Sequence, residues 1–268
     1  MSELTEQITL ALNEKAIPEK AAFFPKFFKA FPGGYGEGDL FLGVKVPDQR
    51  KIAKQFYKEI SLNELSELVR NPYHEVRLTG LLALVYRYEK CKTEDLRKEL
   101  VDFYLAHLDF VNNWDLVDTS CHFILGEYYW KKEKDLFYEL ADSGHLWRQR
   151  IAMISSYFWI KKGDFTDVLA LAEKLKNHSH DLMHKAVGWM LREIGNRDFE
   201  TEFEFLKKHY HMMPRTALRY AIEKFPEELR QEFLKGRIWN QKYKIKKLNM
   251  WNTRKIVPSL VWDVSLSH

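Results

Sequence analysis

Cysteine, long apolar runs and a leader-like N-terminus are scarce or missing in this sequence. Cys91 and Cys121 are its two cysteines and lie far apart in apolar contexts, which excludes a disulfide-built secreted scaffold and predicts free thiols in a reducing compartment. No run of eighteen apolar residues occurs, so we expect no membrane-spanning helix. The first residues lack the basic-then-apolar order of a signal peptide. We therefore expect a soluble, cytoplasmic monomer without a membrane partner.

An excess of charge of one sign is also lacking over most of the chain. The net charge is +4, but residues 235–268 contain eight of the 42 basic residues and one of the 38 acidic residues. Residues 1–234 therefore carry 34 bases against 37 acids. A body with this balance can bind nucleic acid only if it gathers its cations on one face or depends on the C-terminal extension.

Strand signals are scarce, whereas apolar residues recur at helical spacing over long stretches. Examples are Leu62, Leu65, Leu68 and Val69; Leu96, Leu100 and Tyr104; and Val168, Leu171, Ala172 and Leu175. Short turn signals such as Asn71-Pro72, Gly163-Asp164 and Gly195-Asn196 separate these stretches. The pattern predicts an all-α fold of antiparallel helices.

A basic residue followed by small and apolar residues recurs along the chain. With Asn113 placed in the same register, the repeat falls at positions 77, 113, 150, 185 and 215, which are 36, 37, 35 and 30 residues apart. This period predicts a HEAT-like repeat solenoid of antiparallel helix pairs, in one domain over residues 1–234. The second helices would line a concave groove, with Arg77, Arg150, Lys185 and Arg215 in a row. The alternative is that these cations cap or brace neighbouring helices.

The extension at residues 235–268 breaks the repeat. It interleaves Trp239, Tyr243, Trp251 and Trp262 with its eight basic residues. Aromatic rings among cations suit stacking on nucleic-acid bases beside phosphate contacts. The alternative is a disordered or non-native extension.

Two segments resemble ligand-binding motifs but lack the other residues that those motifs need. The glycine-rich segment 31–39 has no preceding strand and no following Gly-Lys-Ser/Thr, so it is not a phosphate loop. His178, His180 and His184 include a pair with metal-ligand spacing, but Asp181 occupies the position of the zincin glutamate and no third ligand is indicated. We expect solvated histidines in a loop, and neither a metal nor a cofactor.

The most informative segment is residues 111–118, in which Trp114 and Asp118 would share one face of a helix. An acid on a surface that meets an anionic partner is costly unless it serves a reaction. A purine alkylated at N3 or N7 is cationic and leaves deoxyribose without protonation, so one carboxylate beneath the sugar can stabilise the oxocarbenium charge and orient water. Indole faces attract a cationic base, and Trp189 supplies a second one. The alternatives are core packing for both tryptophans and a helix-stabilising ion pair for Asp118.

Four short motifs carry a family resemblance. They are Phe41-Leu42-Gly43-Val44 with Pro47 and Arg50, the segment Trp114–Asp118, Trp147-x-x-Arg150, and residues 186–193. Together they resemble the DNA alkylation repair family of alkylpurine DNA glycosylases, over most of residues 20–225.

The resemblance implies a HEAT-like solenoid that wraps duplex DNA in its groove and excises cationic N3- and N7-alkylated purines. It implies no metal, no cofactor and no deep pocket for a flipped base. Asp118 would be the catalytic acid, and Trp114 and Trp189 would contact the lesion-bearing deoxyribose. Arg150 and Arg192 would hold the phosphate backbone near the lesion. Some relatives that lack the acid or the tryptophan bind DNA without excision, so the presence of both indicates activity.

Two other functions fit the same pattern. A non-catalytic binder of distorted or branched DNA would use the same groove, and a HEAT-like protein scaffold would have no nucleic-acid role. The salt dependence of binding distinguishes the scaffold from the two DNA-binding functions, because phosphate contacts weaken steeply as salt rises. Replacement of Asp118 distinguishes the glycosylase from the non-catalytic binder, because it should abolish base excision and leave DNA binding intact.

Overall fold

The computed structural model describes residues 2–238 of the 268-residue chain. Lys235 and Arg237 of the C-terminal extension fall within this range. Trp239, Tyr243, Trp251 and Trp262 lie outside the described residues, so their stacking role stays a prediction.

The all-α prediction is confirmed: residues 2–238 contain no β-strand, and one isolated bridge pairs Leu40 with Tyr73. The chain divides into two compact units, Met1–Leu136 and the part from Phe137 onward. The first unit contains α1 (Glu3–Asn13), α2 (Pro18–Phe27), α3 (Val46–Phe56), α4 (Leu62–Val69), α5 (His74–Lys90), α6 (Glu94–Ala106) and α7 (Trp114–Asp118). Helix α8 (Asp135–Asp142) spans the boundary in sequence. The second unit contains α9 (Leu146–Ser155), α10 (Tyr157–Lys161), α11 (Thr166–Leu175), α12 (Asp181–Gly195), α13 (Phe199–His209), α14 (Arg215–Ala221) and α15 (Glu227–Leu234).

Each unit encloses an apolar core of its own. The first core includes Leu65, Leu68, Leu81, Leu84, Leu100, Tyr104 and Leu116, and the second includes Ile151, Ile154, Trp159, Leu171, Met183, Val187 and Met190. Division into compact units does not show whether they fold separately, so the single domain over residues 1–234 stays a prediction. Within residues 2–238, every helix is too short or too polar to cross a lipid bilayer.

Local sequence signals account for several helix boundaries. The three apolar stretches that we used as examples correspond to α4, α6 and α11. Ser61 begins α4 with a capping box, in which its side chain accepts from the Glu64 backbone while the Glu64 carboxylate accepts from the Ser61 backbone. Pro47 lies in the first turn of α3, where a missing N–H is harmless.

The register of the repeat agrees with the helix order. Arg77 lies on α5, Asn113 caps α7, and the remaining three positions, Arg150, Lys185 and Arg215, lie on α9, α12 and α14. The four basic positions fall in the first half of their helices, and Asn113 directly precedes α7. Each of these helices follows another helix, as expected for a repeat of two helices. The concave groove stays a prediction.

Glu75 explains the Phe41-Leu42-Gly43-Val44 motif. Its buried carboxylate accepts hydrogen bonds from the backbone N–H groups of Leu42, Gly43 and Val44, at 3.0, 2.7 and 3.3 Å. Gly43 has a φ of +84°, and a side chain there would collide with the Ile17 carbonyl oxygen. The motif therefore joins the segment before α3 to the start of α5, and its first role is structural.

We expect Glu75→Gln to lower the free energy of unfolding by about 2–4 kcal/mol, because an amide cannot satisfy three converging N–H donors and leaves buried groups unpaired. Urea unfolding of the wild type and variant measures the difference. Glu89→Gln is the matched control, since Glu89 is exposed on the same helix and should change stability by less than about 0.5 kcal/mol. Equal, small losses in both variants would contradict the structural role of Glu75.

Candidate functional site

Helix α7 carries the predicted pair at its two ends. Trp114 is its first residue and Asp118 its last, and both side chains are half-buried. The Asn113 side chain accepts a hydrogen bond from the Trp114 backbone N–H at 2.9 Å, and the Thr119 hydroxyl donates to the Asp115 carbonyl oxygen at 2.6 Å. A helix of five residues is not stable alone, so tertiary contacts must hold it in place.

His74 provides the main polar contact to α7. This buried imidazole, at the start of α5, lies 2.8 Å from Asp115 Oδ2 through Nε2 and 3.2 Å from Asp39 Oδ2 through Nδ1. Arg77 Nη2 donates to the other oxygen of Asp39 at 2.6 Å. The resulting buried network, which we call the His74 network, consists of His74, Asp39, Asp115 and Arg77.

The charges of the His74 network determine its protonation. Burial lowers the pKa of His74, but the charge of Asp115 and hydrogen bonds to Asp115 and Asp39 outweigh it and raise the pKa to about 9. Burial alone would raise the pKa of Asp39, yet the hydrogen bond to His74 and the Arg77 charge lower it overall. At neutral pH the imidazole is therefore a cation that donates to both carboxylates.

Aromatic rings hold the Trp114 indole from one side. Phe28 stacks on it with a centroid distance of 5.6 Å, and Phe27 meets it edge-on at 5.9 Å. Phe28 also packs against the His74 ring at 4.5 Å, and Phe41 stacks on that ring at 5.3 Å. The indole and the buried imidazolium therefore share one supporting ring.

The glycine-rich segment 31–39 packs against residues that position α7. A Cβ atom at Gly36 would lie 2.5 Å from the Phe28 carbonyl oxygen and 3.0 Å from the side-chain nitrogen of Asn113, which caps α7. Asp39 follows at the end of the segment and joins the His74 network. The small residues therefore allow the loop to pack closely against the residues that position α7.

The charge of Asp118 affects a buried tyrosine of the first core. Burial, then the charges of Cys121 and Asp118, raise the pKa of the Tyr104 hydroxyl, which shares a 2.8 Å hydrogen bond with Ser120. The Asp118 side chain is half-buried.

Arg77 does not point to solvent as the predicted groove residue would. It is only 4% exposed. Besides its contact with Asp39, its Nη1 donates to the carbonyl oxygens of Asn71 and Pro72 at 3.0 and 3.2 Å. These contacts match the bracing alternative, and phosphate binding by Arg77 stays a prediction.

In the second unit, Trp189 and Arg150 belong to neighbouring helices. Trp189 on α12 is half-buried and packs against the Tyr157 ring at 5.8 Å. Arg150 on α9 is buried and donates from Nη1 to the Leu182 carbonyl oxygen at 2.6 Å. Arg150 therefore braces α9 against the start of α12, and the DNA-binding roles of both residues stay predictions.

The other three predicted phosphate contacts of this unit also have partners. Arg192 is buried and forms an ion pair with Glu223. Lys185 pairs with Asp181 at 2.8 Å on the same helix. Arg215 is exposed, and its Nη1 donates to the Leu234 carbonyl oxygen at 2.7 Å. Each of these three cations therefore stabilises the fold, and phosphate binding by any of them stays a prediction.

The histidines near the start of α12 contact nearby side-chain and backbone atoms. His178 Nε2 lies 2.9 Å from the Gln149 side-chain oxygen, and His184 Nε2 lies 2.5 Å from the His178 carbonyl oxygen. Burial, then the charge of His180, lowers the pKa of His178. Within residues 2–238 no group of three or more His, Cys, Asp or Glu side chains is arranged to hold a metal ion.

A sequence model of the family of DNA alkylation repair enzymes matches residues 8–225. The chain belongs to this family. One solved structure, titled a predicted DNA alkylation repair enzyme from Enterococcus faecalis, is 16% identical with a TM-score of 0.59 and covers 80% of this chain and 98% of its own. At this identity the likeness shows the fold alone. No curated protein matches the sequence.

In this member of the DNA alkylation repair family, the sequence did not predict the buried polar residues that position Trp114 and Asp118. His74, Asp39 and Asp115 come together across separations of 35 and 41 residues. Asp115 lies within the Trp114–Asp118 motif, but the sequence indicates a function only for Asp118. The available signal was a histidine in the first turn of a helix whose centre, residues 80–85, is apolar and must be buried. A polar residue that is buried with such a helix needs hydrogen-bond partners in the interior.

We expect the free energy of unfolding to fall as pH rises from 6.5 to 9, by about 3 kcal/mol, because the pKa of His74 is higher in the folded chain than in the unfolded one. The stabilisation is complete below the unfolded value of 6.5 and is lost as pH passes through about 9. Urea unfolding across this range measures it.

His74→Asn should remove this pH dependence, whereas His211→Asn, at an exposed histidine, should preserve it. A wild-type curve that is flat over the same range would contradict the protonated state that we assign to His74.

Proposed function

We propose that this member of the DNA alkylation repair family is a DNA glycosylase that hydrolyses the N-glycosidic bond of cationic N3- and N7-alkylated purines in duplex DNA. The observation that carries the proposal is the short helix α7. Trp114 and the half-buried Asp118 lie four residues apart on this helix, and His74 holds it in place through Asp115. A DNA repair role follows from the family.

The proposed chemistry needs one carboxylate. The bond between C1′ and the purine nitrogen breaks, and its electron pair neutralises the cationic base, so the leaving group requires no proton. Positive charge develops on the sugar, where the Asp118 carboxylate stabilises it and orients the attacking water. Water then adds to C1′ and releases its proton to the carboxylate or to solvent. No step requires a metal or a cofactor.

Trp114 supplies the second element of the proposed site. The face of an indole attracts a cationic base, and the contact is worth about 0.5–2 kcal/mol, with the larger value where water is excluded. Phe27 and Phe28 fix the ring from the protein side, so it loses little freedom when substrate binds.

The His74 network makes the arrangement rigid before substrate arrives. Electrostatic stabilisation is effective when the stabilising charge is already in position, because no free energy is then spent on reorganisation during the reaction. His74 fixes Asp115, three residues before Asp118 on the same helix. We therefore propose His74 and Asp115 as positioning residues and Asp118 as the catalytic acid.

We expect Asp118→Asn to reduce release of alkylated base by about a hundredfold or more, the usual cost of removing a preorganised charge from a transition state. Its affinity for duplex DNA should be unchanged or higher, because an anion leaves the surface. Single-turnover release of free base from methylated duplex DNA, with fluorescence anisotropy for binding, measures both.

Asp115→Asn is the matched variant, because it changes the other carboxyl of the same helix. It should lower the free energy of unfolding and flatten its pH dependence, whereas Asp118→Asn should preserve the pH dependence, because Asp118 is not part of the His74 network. Undiminished release by folded Asp118→Asn would remove Asp118 from the mechanism. Absence of release by wild type that still binds DNA would favour the non-catalytic binder of distorted or branched DNA.

A further inference from the structure

Helix α3 and the residues after it carry an unusual excess of positive charge. Residues 45–58 contain five bases, Lys45, Arg50, Lys51, Lys54 and Lys58, against the single acid Asp48, although residues 1–234 as a whole are slightly acidic. Arg50 and Lys54 lie four residues apart on α3, which is about 6 Å along its axis. Lys58 follows in the turn after the helix ends at Phe56.

Two tyrosine side chains contact these three cations. Arg50 Nη1 lies 3.5 Å from the Tyr86 hydroxyl, and Lys54 Nζ lies 5.5 Å from the centre of the Tyr86 ring. Lys58 Nζ lies 6.0 Å from the centre of the Tyr57 ring, and the two rings meet edge to face at 6.1 Å. We call Arg50, Lys54, Lys58, Tyr57 and Tyr86 the α3 cluster.

The cations of the α3 cluster are not neutralised within the structure. Among residues 2–238, no carboxylate lies within ion-pair distance of Arg50, Lys54 or Lys58. Lys51 on the same helix is different, because its Nζ lies 3.3 Å from Asp48. Arg77, which the sequence placed in the row of cations, and Arg192, which the family resemblance assigned to the phosphate backbone, are buried in ion pairs. Arg50, Lys54 and Lys58 are therefore three neighbouring cations that no carboxylate among residues 2–238 neutralises.

We infer that the α3 cluster binds the phosphate backbone of duplex DNA beside the lesion. A group of three neighbouring cations that contact aromatic rings and have no carboxylate partner is complementary to a polyanion rather than to one small anion. The inference rests on the proposed DNA repair function and adds to it a surface through which the first unit grips the flanking strand.

The position of the α3 cluster separates this role from the chemistry. His74 and Tyr86 lie on the same helix, twelve residues and hence about 18 Å apart along its axis. His74 contacts the catalytic helix α7, so the cluster is too far away to touch the lesion-bearing nucleotide itself. It should affect affinity and its dependence on salt, and leave the excision rate of bound DNA unchanged.

The test compares two triple variants with equal loss of charge. Arg50→Ala/Lys54→Ala/Lys58→Ala removes the cations of the cluster. Lys51→Ala/Lys98→Ala/Lys207→Ala removes three exposed lysines that already pair with Asp48, Asp102 and Glu204. Fluorescence anisotropy with a methylated duplex at several salt concentrations gives the slope of log affinity against log salt, and single-turnover release at saturating protein gives the rate.

We expect the slope of the cluster variant to be shallower than that of wild type by about 2.7, since each phosphate contact contributes about 0.9. The control variant should differ from wild type by less than one contact, and both should release base at the wild-type rate when saturated. Equal slopes in the two variants would overturn the inference while leaving the proposed function intact.

Wild type that binds DNA without salt dependence would overturn both the inference and the proposed function. If the cluster variant does not fold, Lys54→Glu serves instead, because one reversed charge on an exposed side chain leaves the core untouched. A wild-type slope for folded Lys54→Glu would overturn the inference in the same way.

Discussion

The buried imidazolium of His74 is the constraint on which the first unit depends. One ring nitrogen contacts Asp115 on α7, and the other contacts Asp39 at the end of the glycine-rich loop. Arg77 balances the second carboxylate, so two cations and two anions share one small interior. A buried charge without partners is very costly, and loss of any member would leave the others uncompensated. This dependence explains how a five-residue helix can keep a fixed place.

Several cations expected to meet DNA also have partners within the fold. Arg77 and Arg192 form buried ion pairs, and Arg150 braces two helices through a backbone carbonyl. These contacts stabilise the fold, and phosphate binding by these residues stays a prediction. The cations of the α3 cluster lie outside the repeat.

The sequence predicted well what depends on local pattern. Apolar spacing located α4, α6 and α11, and the four-residue separation of Trp114 and Asp118 placed them on one helix. It did not predict the His74 network, because its partners are separated by many residues and no periodicity marks a polar residue with a distant partner. The close packing of the glycine-rich loop against Asn113 has no signal in the sequence and emerges only from the three-dimensional structure.

The His74 network is tested most directly by an NMR titration of the His74 ring in the folded protein, with His74→Asn used to assign the signal. We expect an imidazole pKa of about 9, because Asp115 and Asp39 both accept from the protonated ring. A pKa at or below the ordinary value of 6.5 would contradict it, since a neutral ring can donate to only one of the two carboxylates.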